Sequence, residues 1–330
     1  MSKRFDNAET RDGNYHKLPE EYIMTNDRAS NAIFGTDRPT IKGTAAIAKG
    51  CYKTSKKGHE IKVGLNLIQM EKEHPATKIE RLLTRFDRSV HNAITSVLVD
   101  EEWQLTPEGG KLISLQAIAR LLKNTERREH KTTDETFLQE IEESIFKMAN
   151  IWANVDIAKD FFPKDTNITG IFNEALIPCR FIYLRVGEHS TTAVELYRDP
   201  PLYRYANAKN QIMRFGRDTI DVSAVQMTPQ NIAVRDFILQ RLAITGNEYA
   251  RTIYFETLYQ ELGIYADEMS DNAYKCKVRR VRATVFKILN EYTDSGKLAS
   301  YEKKRSGQKI VGVVPGEWHG KSLAAAEGSE

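Results

Sequence analysis

Between Tyr274 and Tyr292 the chain reads YKCKVRRVRATVFKILNEY, and most polar positions in it are cationic. Val278, Val281, Val285, Ile288, Leu289 and Tyr292 step by three and four, which predicts a helix with one apolar stripe. Lys275, Arg279 and Arg282 then run along an outward ridge, Arg280 and Lys287 lie toward the other flank, and Lys277 is a further candidate cation. Only Glu291, at the far end, is acidic. Such a surface suits a polyanion. Each cation that neutralises a phosphate releases counterions, and an arginine can also fork onto a guanine edge. Taken alone, the helix is equally a solvated basic face, so its surroundings have to decide.

Those surroundings are basic too. The run KLASYEKKR, a Ser-Gly turn and QKIVGVVP predict a β-hairpin that carries Lys303, Lys304, Arg305 and Lys309. Residues 270–310 hold eleven Lys/Arg against four Asp/Glu, whereas all 330 residues together carry only +3, so the rest of the chain is net acidic. A cluster of this kind attracts phosphate, while scattered charge mainly serves solubility.

Working back from the basic helix, Thr228 and Pro229 are an N-cap and first-turn pair that predict a helix over TPQNIAVRDFILQRLAIT. TIYF follows as a short strand, then ETLYQELGI as a short helix closed by Gly263. The order helix, strand, helix, helix, hairpin is the winged-helix arrangement, with the basic helix as reader and the hairpin as wing. A similar order occurs earlier. Thr84 and Asp87 form a variant capping-box signal ahead of a helix with Phe86, Val90, Ile94, Val97 and Leu98 on one face. Next come a short β-like piece at WQL (103–105), a helix over 114–122 capped by Ser114, and a helix over 134–149 burying Phe137, Ile141, Ile145 and Met148. WANVDIA, EALIPCRFIYLRVG and STTAVELYRDPP read as strands, the last two joined by a turn at Gly187–Ser190. Here the third helix carries Asp134, Glu135, Glu140, Glu142 and Glu143, which repel phosphate. Protein contact or dimerisation suits it better, or it is a plain solvated helix. Arg127, Arg128 and Lys131 in the preceding loop are auxiliary backbone contacts.

The expected fold class is α+β and helix-rich: two tandem winged-helix domains with a flexible N-terminal arm. The expected boundaries are a polar arm over 1–38, an N-terminal unit over 39–225, a C-terminal DNA-binding unit over 226–316 and a tail over 317–330. Residues 40–70 predict an extra hairpin with a basic tip at SKKG. PPLYRYANAKNQIMRF, with its helix-stopping Pro pair, reads as a connecting segment. Its Tyr205, Lys209 and Arg214 interleave aromatic and cationic groups that suit nucleic acid, or it packs its tyrosines between two domains.

Several classes are excluded as expectations. No apolar run approaches the ~20 residues that span a bilayer, and the N-terminus has no apolar signal region. Three scattered cysteines, Cys51, Cys179 and Cys276, fit neither a disulfide framework nor a zinc site and suit a reducing cytosol. GEWHGKS (316–322) lacks the glycine spacing of a phosphate loop, and the histidines form no metal-ligand pair. No nucleophile signature is present. The expectation is a non-enzymatic protein with no cofactor and no catalytic or metal residue.

The strings LTRFDRSVHNAI, DPPLYRYANAKNQI and IYFETLYQELGI, with the closing helix and hairpin, span roughly residues 80–315. In that order the sequence resembles the replication initiator proteins of plasmids and integrative elements of Gram-positive bacteria, of the tandem winged-helix type. The resemblance implies binding to repeated origin sites on double-stranded DNA and recruitment of host helicase or its loader. It also implies that the second unit is the main reader and that the first helps form a homodimer. The competing class is a transcriptional or partition regulator with the same fold and no initiator activity, and a third is a scaffold that binds no DNA.

Overall fold

The computed structural model describes residues 18–34, 40–41, 47–53, 60–67, 80–81, 83–100, 106, 108–125, 135–156, 171–186, 189–243, 252–306 and 308–315. The first described segment corrects the expectation of a flexible arm reaching residue 38. Strand β1 (Glu21–Thr25) pairs antiparallel with β11 (Ile212–Gly216), and helix α1 (Arg28–Phe34) follows it. Tyr22, Met24, Ile33 and Phe34 are fully buried. The segment looks polar in sequence because its polar groups are buried with partners. Asp27, for example, accepts from the Ser30 amide at 2.8 Å and so caps α1.

Strands β3 (Ile47–Lys53) and β4 (Glu60–Leu67) form the expected hairpin, whose SKKG tip lies outside the described residues. The hairpin continues into β7 (Ile151–Asp156) and β8 (Ile171–Ala175), giving a four-stranded antiparallel sheet ordered β3-β4-β7-β8. Strands β2 (Thr40–Ile41) and β5 (Glu80–Arg81) pair with each other. Helix α2 (Arg85–Val99) begins at the predicted capping box: the Thr84 hydroxyl accepts from the Asp87 amide, and Asp87 accepts from the Thr84 amide at 2.6 Å. Residues 87–98 are buried all round, polar ones included, so this helix is a central axis and not a half-exposed one.

Around α2 the chain builds two units with one topology. The first contains α2, β6 (Lys111–Ser114), α3 (Leu115–Lys123), α4 (Glu135–Asn150) and the hairpin β9 (Cys179–Val186) and β10 (His189–Leu196), with sheet order β6-β10-β9. Helix α5 (Pro201–Ala208), β11 and the short α6 (Arg217–Ile220) connect it to the second. That unit contains α7 (Pro229–Ala243), β12 (Ile253–Tyr254), α8 (Phe255–Glu261), α9 (Asp271–Asp294) and the hairpin β13 (Leu298–Ser306) and β14 (Gln308–Pro315), with sheet order β12-β14-β13. In each sheet the short strand before the second helix pairs with the last strand of the hairpin. β7 and β8 are the insertion that obscures this in the first unit.

The strand of the first sheet is Lys111–Ser114, with Ala193 opposite Ser114, and the WQL piece expected to be β-like lies outside the described residues. One local reading changes. The Pro pair starts a helix and does not stop one: Pro201 occupies its first turn, where a missing N–H costs nothing.

The boundary near residue 225 separates topological units that share one core, since a single buried cluster runs from Leu18 to Leu298. A buried ionic joint pins them. Arg85 on α2 pairs with Glu261 on α8 at 2.8 Å and donates to the Gln240 side chain at 2.6 Å on α7. Arg235 pairs with Asp236 at 2.8 Å and donates to the carbonyls of Leu122 (2.8 Å) and Ile220 (3.3 Å). The Tyr22 hydroxyl donates to the second Asp236 oxygen at 2.8 Å, which ties β1 into the same joint. Burial first, and then the Asp236 charge, raise the Tyr22 phenol well above its ordinary range, so it remains a donor.

Candidate nucleic-acid interface

Helix α9 is the longest in the molecule among the described residues, 24 residues or about 36 Å. Ser270 caps it, accepting from the Ala273 amide at 3.4 Å. The predicted stripe of Val278, Val281, Val285, Ile288, Leu289 and Tyr292 is buried throughout. Burial of that kind is worth about 1.5–3 kcal/mol per large aliphatic side chain and holds the helix against α7 and the sheet. Its first two turns stand clear of the core: between Asp271 and Lys277 only Tyr274 is even half-buried.

Lys275, Lys277, Arg279, Arg280 and Lys287 are exposed. Lys275 lies 3.9 Å from Asp271, one turn back, in a pair too exposed to hold it tightly. The other four have no ion pair among the described residues. The acid on this helix nearest its core is otherwise engaged. Glu291 accepts from the amides of Ser223 (2.6 Å) and Ala224 (2.7 Å) and from the Ser223 hydroxyl (2.9 Å). Burial raises its carboxyl, but these donors outweigh burial and hold it below its usual range. Glu291 thus fastens the linker and leaves the field of the helix positive.

Arg282 departs from the outward ridge expected for it. Its Nε donates to the Tyr259 hydroxyl at 2.5 Å, and its guanidinium lies over the rings of Phe255 (5.4 Å) and Tyr259 (5.8 Å). It lies one turn on from buried Val278 and two turns before buried Leu289, at the edge of the apolar stripe, which draws it onto α8. Its visible work is to fix the angle between α8 and α9.

The hairpin is fastened to the same helix. Lys303 Nζ lies 4.3 Å from the centroid of Phe286, and Tyr301 donates to the Asn290 side chain at 2.5 Å. Toward the tip, the register sets Lys304 opposite Ile310 and Arg305 directly opposite Lys309.

The auxiliary residues are placed differently. Tyr205 is 4% exposed and belongs to the shared core. The Lys209 amide closes α5 by donating to the Tyr205 carbonyl at 3.1 Å, and Arg214 pairs with Glu21 at 2.6 Å. Tyr205 and Arg214 therefore belong to the packing of the connecting segment and β11 against the core and β1, a context that nearby sequence could not display. Arg127, Arg128 and Lys131 lie outside the described residues. The equivalent helix of the first unit, α4, exposes Glu135, Glu140 and Glu143 together with Phe146 at 46%, whose ring lies 6.3 Å from that of Phe181 on β9, and Tyr183 on the same strand is 74% exposed. No described helix is long and apolar enough to cross a membrane.

No protein-family model matches the chain, and no curated protein matches it. The solved structure of selenomethionine derivatives of domains 2 and 3 of RctB is similar over 87% of this chain and 98% of that one, at 10% identity and a TM-score of 0.44. That is a likeness of outline, and no residue's role is carried over from it.

Proposed function

We propose that the chain is a non-enzymatic, double-stranded DNA-binding protein whose two units are both winged helices, with α9 as the helix that enters the major groove. The observation that carries this is the exposed face of α9, on which Lys277, Arg279, Arg280 and Lys287 have no ion pair among the described residues, with the β13–β14 hairpin fastened beside it. A groove-entering helix needs a free N-terminal half, cations on its solvent side and a second element on the neighbouring backbone. α9 and the β13–β14 hairpin meet those requirements, and α4 does not. We further propose that the bound sites are repeats at a replication origin of a plasmid or mobile element. The chain would act there as an initiator in the bacterial cytoplasm, near the nucleoid, and bring in host helicase or its loader. The doubled unit and the ordered strings between residues 80 and 315 support this reading. Self-association through the first unit is part of the same proposal.

The test is selection of genomic fragments by the purified protein across a salt series. Expected are fragments with repeats spaced by about one helical turn or its multiples, bound with a steep salt dependence. Such a fragment, cloned on a non-replicating plasmid, replicates when the chain is supplied, and fails with Arg279→Ala/Arg280→Ala. A single palindrome in a promoter, with no replication, would establish the regulator instead.

A further inference from the structure

Helix geometry narrows the outward surface of α9 to a line. At about 100° per residue, the buried Val278, Val281, Val285, Ile288 and Tyr292 point one way, and Asn272, Cys276, Arg279, Ala283 and Asn290 lie opposite. All five are exposed. Asn290 is taken by the Tyr301 hydroxyl at 2.5 Å, so the free line ends at Ala283. Lys275 flanks it on one side, and Arg280 and Lys287 flank it on the other.

We infer that Asn272, Cys276, Arg279 and Ala283 are the sequence-reading line of α9, with Lys275, Arg280 and Lys287 gripping the phosphates on either side. The inference rests on the DNA reading proposed above. The side chains on the line have specific complements. A carboxamide pairs bidentately with adenine N6 and N7, a guanidinium pairs with guanine O6 and N7, and a methyl group packs on the thymine methyl. Cys276 and Ala283 are small and weakly polar. On either side of Arg279 they let the backbone approach the base edges closely enough for the guanidinium to reach guanine squarely. Arg282, with its Nε on Tyr259, is not on the line.

Spacing then predicts the order of bases. Asn272 and Arg279 are seven residues apart, about 10.5 Å along the axis, or about three base-pair steps of 3.4 Å. Arg279 and Ala283 are about 6 Å apart, slightly under two steps. The half-site read by α9 is therefore an adenine, a guanine about three pairs further on and a thymine about two pairs beyond that.

The experiment is selection from a randomised duplex DNA library by the full chain, in parallel with Asn272→Ala, Arg279→Ala, Arg279→Lys, Lys275→Ala and Lys287→Ala. Circular dichroism and melting establish that each exposed-site variant keeps the fold. Asn272→Ala is expected to lose the adenine preference, and Arg279→Ala the guanine preference, each by roughly 5- to 150-fold at that one position. Arg279→Lys keeps the charge, so it lowers the guanine preference and leaves the salt slope unchanged. Lys275→Ala and Lys287→Ala weaken all sequences alike and flatten the salt slope by about 0.9 each. An unchanged motif in both Asn272→Ala and Arg279→Ala overturns the reading line while DNA binding stands. A wild-type chain that retains no duplex even at low salt overturns the proposed function itself.

Discussion

Helices α4 and α9 occupy the same slot in two units of the same topology, and their solvent faces are chemically opposite. Each follows a short strand and a second helix, and each precedes a hairpin whose last strand completes a three-stranded sheet. Each buries a stripe at helical spacing: Phe137, Ile141, Ile145 and Met148 in one, Val278 to Tyr292 in the other. Outside that stripe α4 shows glutamates and Phe146, and its one lysine, Lys147, is paired with Asp87 at 2.9 Å. α9 shows lysines and arginines, and its buried-side acid, Glu291, is committed to the linker. The scaffold is thus indifferent to the sign of the outward face. One copy of the topology presents a field that draws phosphate, and the other presents one that repels it and exposes aromatic area instead.

The largest expected effect concerns whether the two units are separable at all. Arg85→Ala leaves Glu261 and Gln240 buried without their donor, at a cost of about 3–5 kcal/mol. Because the core is shared, denaturant should unfold both units in one weakened transition. Two resolved transitions by circular dichroism and hydrogen exchange would show instead that the units are independent bodies.

The contrast between the helices is sharpened by reversing their charges. Arg279→Ala should cost about 1–3 kcal/mol of duplex affinity, concentrated at one base position. Glu140→Lys with Glu143→Lys on α4 should leave the selected motif unchanged. A new or altered motif in that double variant would make α4 a reader as well.

Acid should act on the shared core through the first unit. His91 is fully buried on α2, and burial first, with the Arg88 charge second, pushes its imidazole down to about 3. An unfolded histidine takes up a proton below about 6.5, whereas the folded one stays neutral until about 3. Stability contributed by the neutral form is therefore complete above pH 6.5 and is lost as pH falls toward 3. The slope is about 1.4 kcal/mol per pH unit. Denaturation midpoints measured between pH 7 and 4 check it, and His91→Leu should flatten that slope.

The smallest effect separates packing from reading within α9. Arg282→Lys and Tyr259→Phe each remove the same hydrogen bond and should each cost about 1 kcal/mol in stability. Their effects on DNA affinity should be similar and modest. A far greater loss of affinity in Arg282→Lys would return Arg282 to the DNA surface.

Much of this was legible in the residues. The capping box at Thr84 and Asp87, the Ser114 and Thr228 caps, and the stripes of α4 and α9 are local signals, and each was found where spacing predicted it. The cationic excess near the C-terminus was equally plain, because exposed charge carries its meaning without a partner. Asn272, Cys276 and Ala283, the small and neutral members of the proposed reading line, are passed over when only cations are considered. Helix periodicity alone, applied to the side opposite the stripe, would have picked them out.

By itself the sequence determined the main helices of each unit, their apolar faces and the sign of the field on each third helix, since all of these follow from near neighbours along the chain. The tertiary structure decided what those near neighbours could not. It folded residues 21–34 into the core, gave the 47–67 hairpin two partner strands contributed by an insertion about ninety residues later, and turned Arg282 from the outward ridge onto Tyr259. It also brought Arg85 to Glu261, 176 positions apart, across the joint between the units. Buried polar residues read as surface until their partners are known, and those partners are supplied only by the fold.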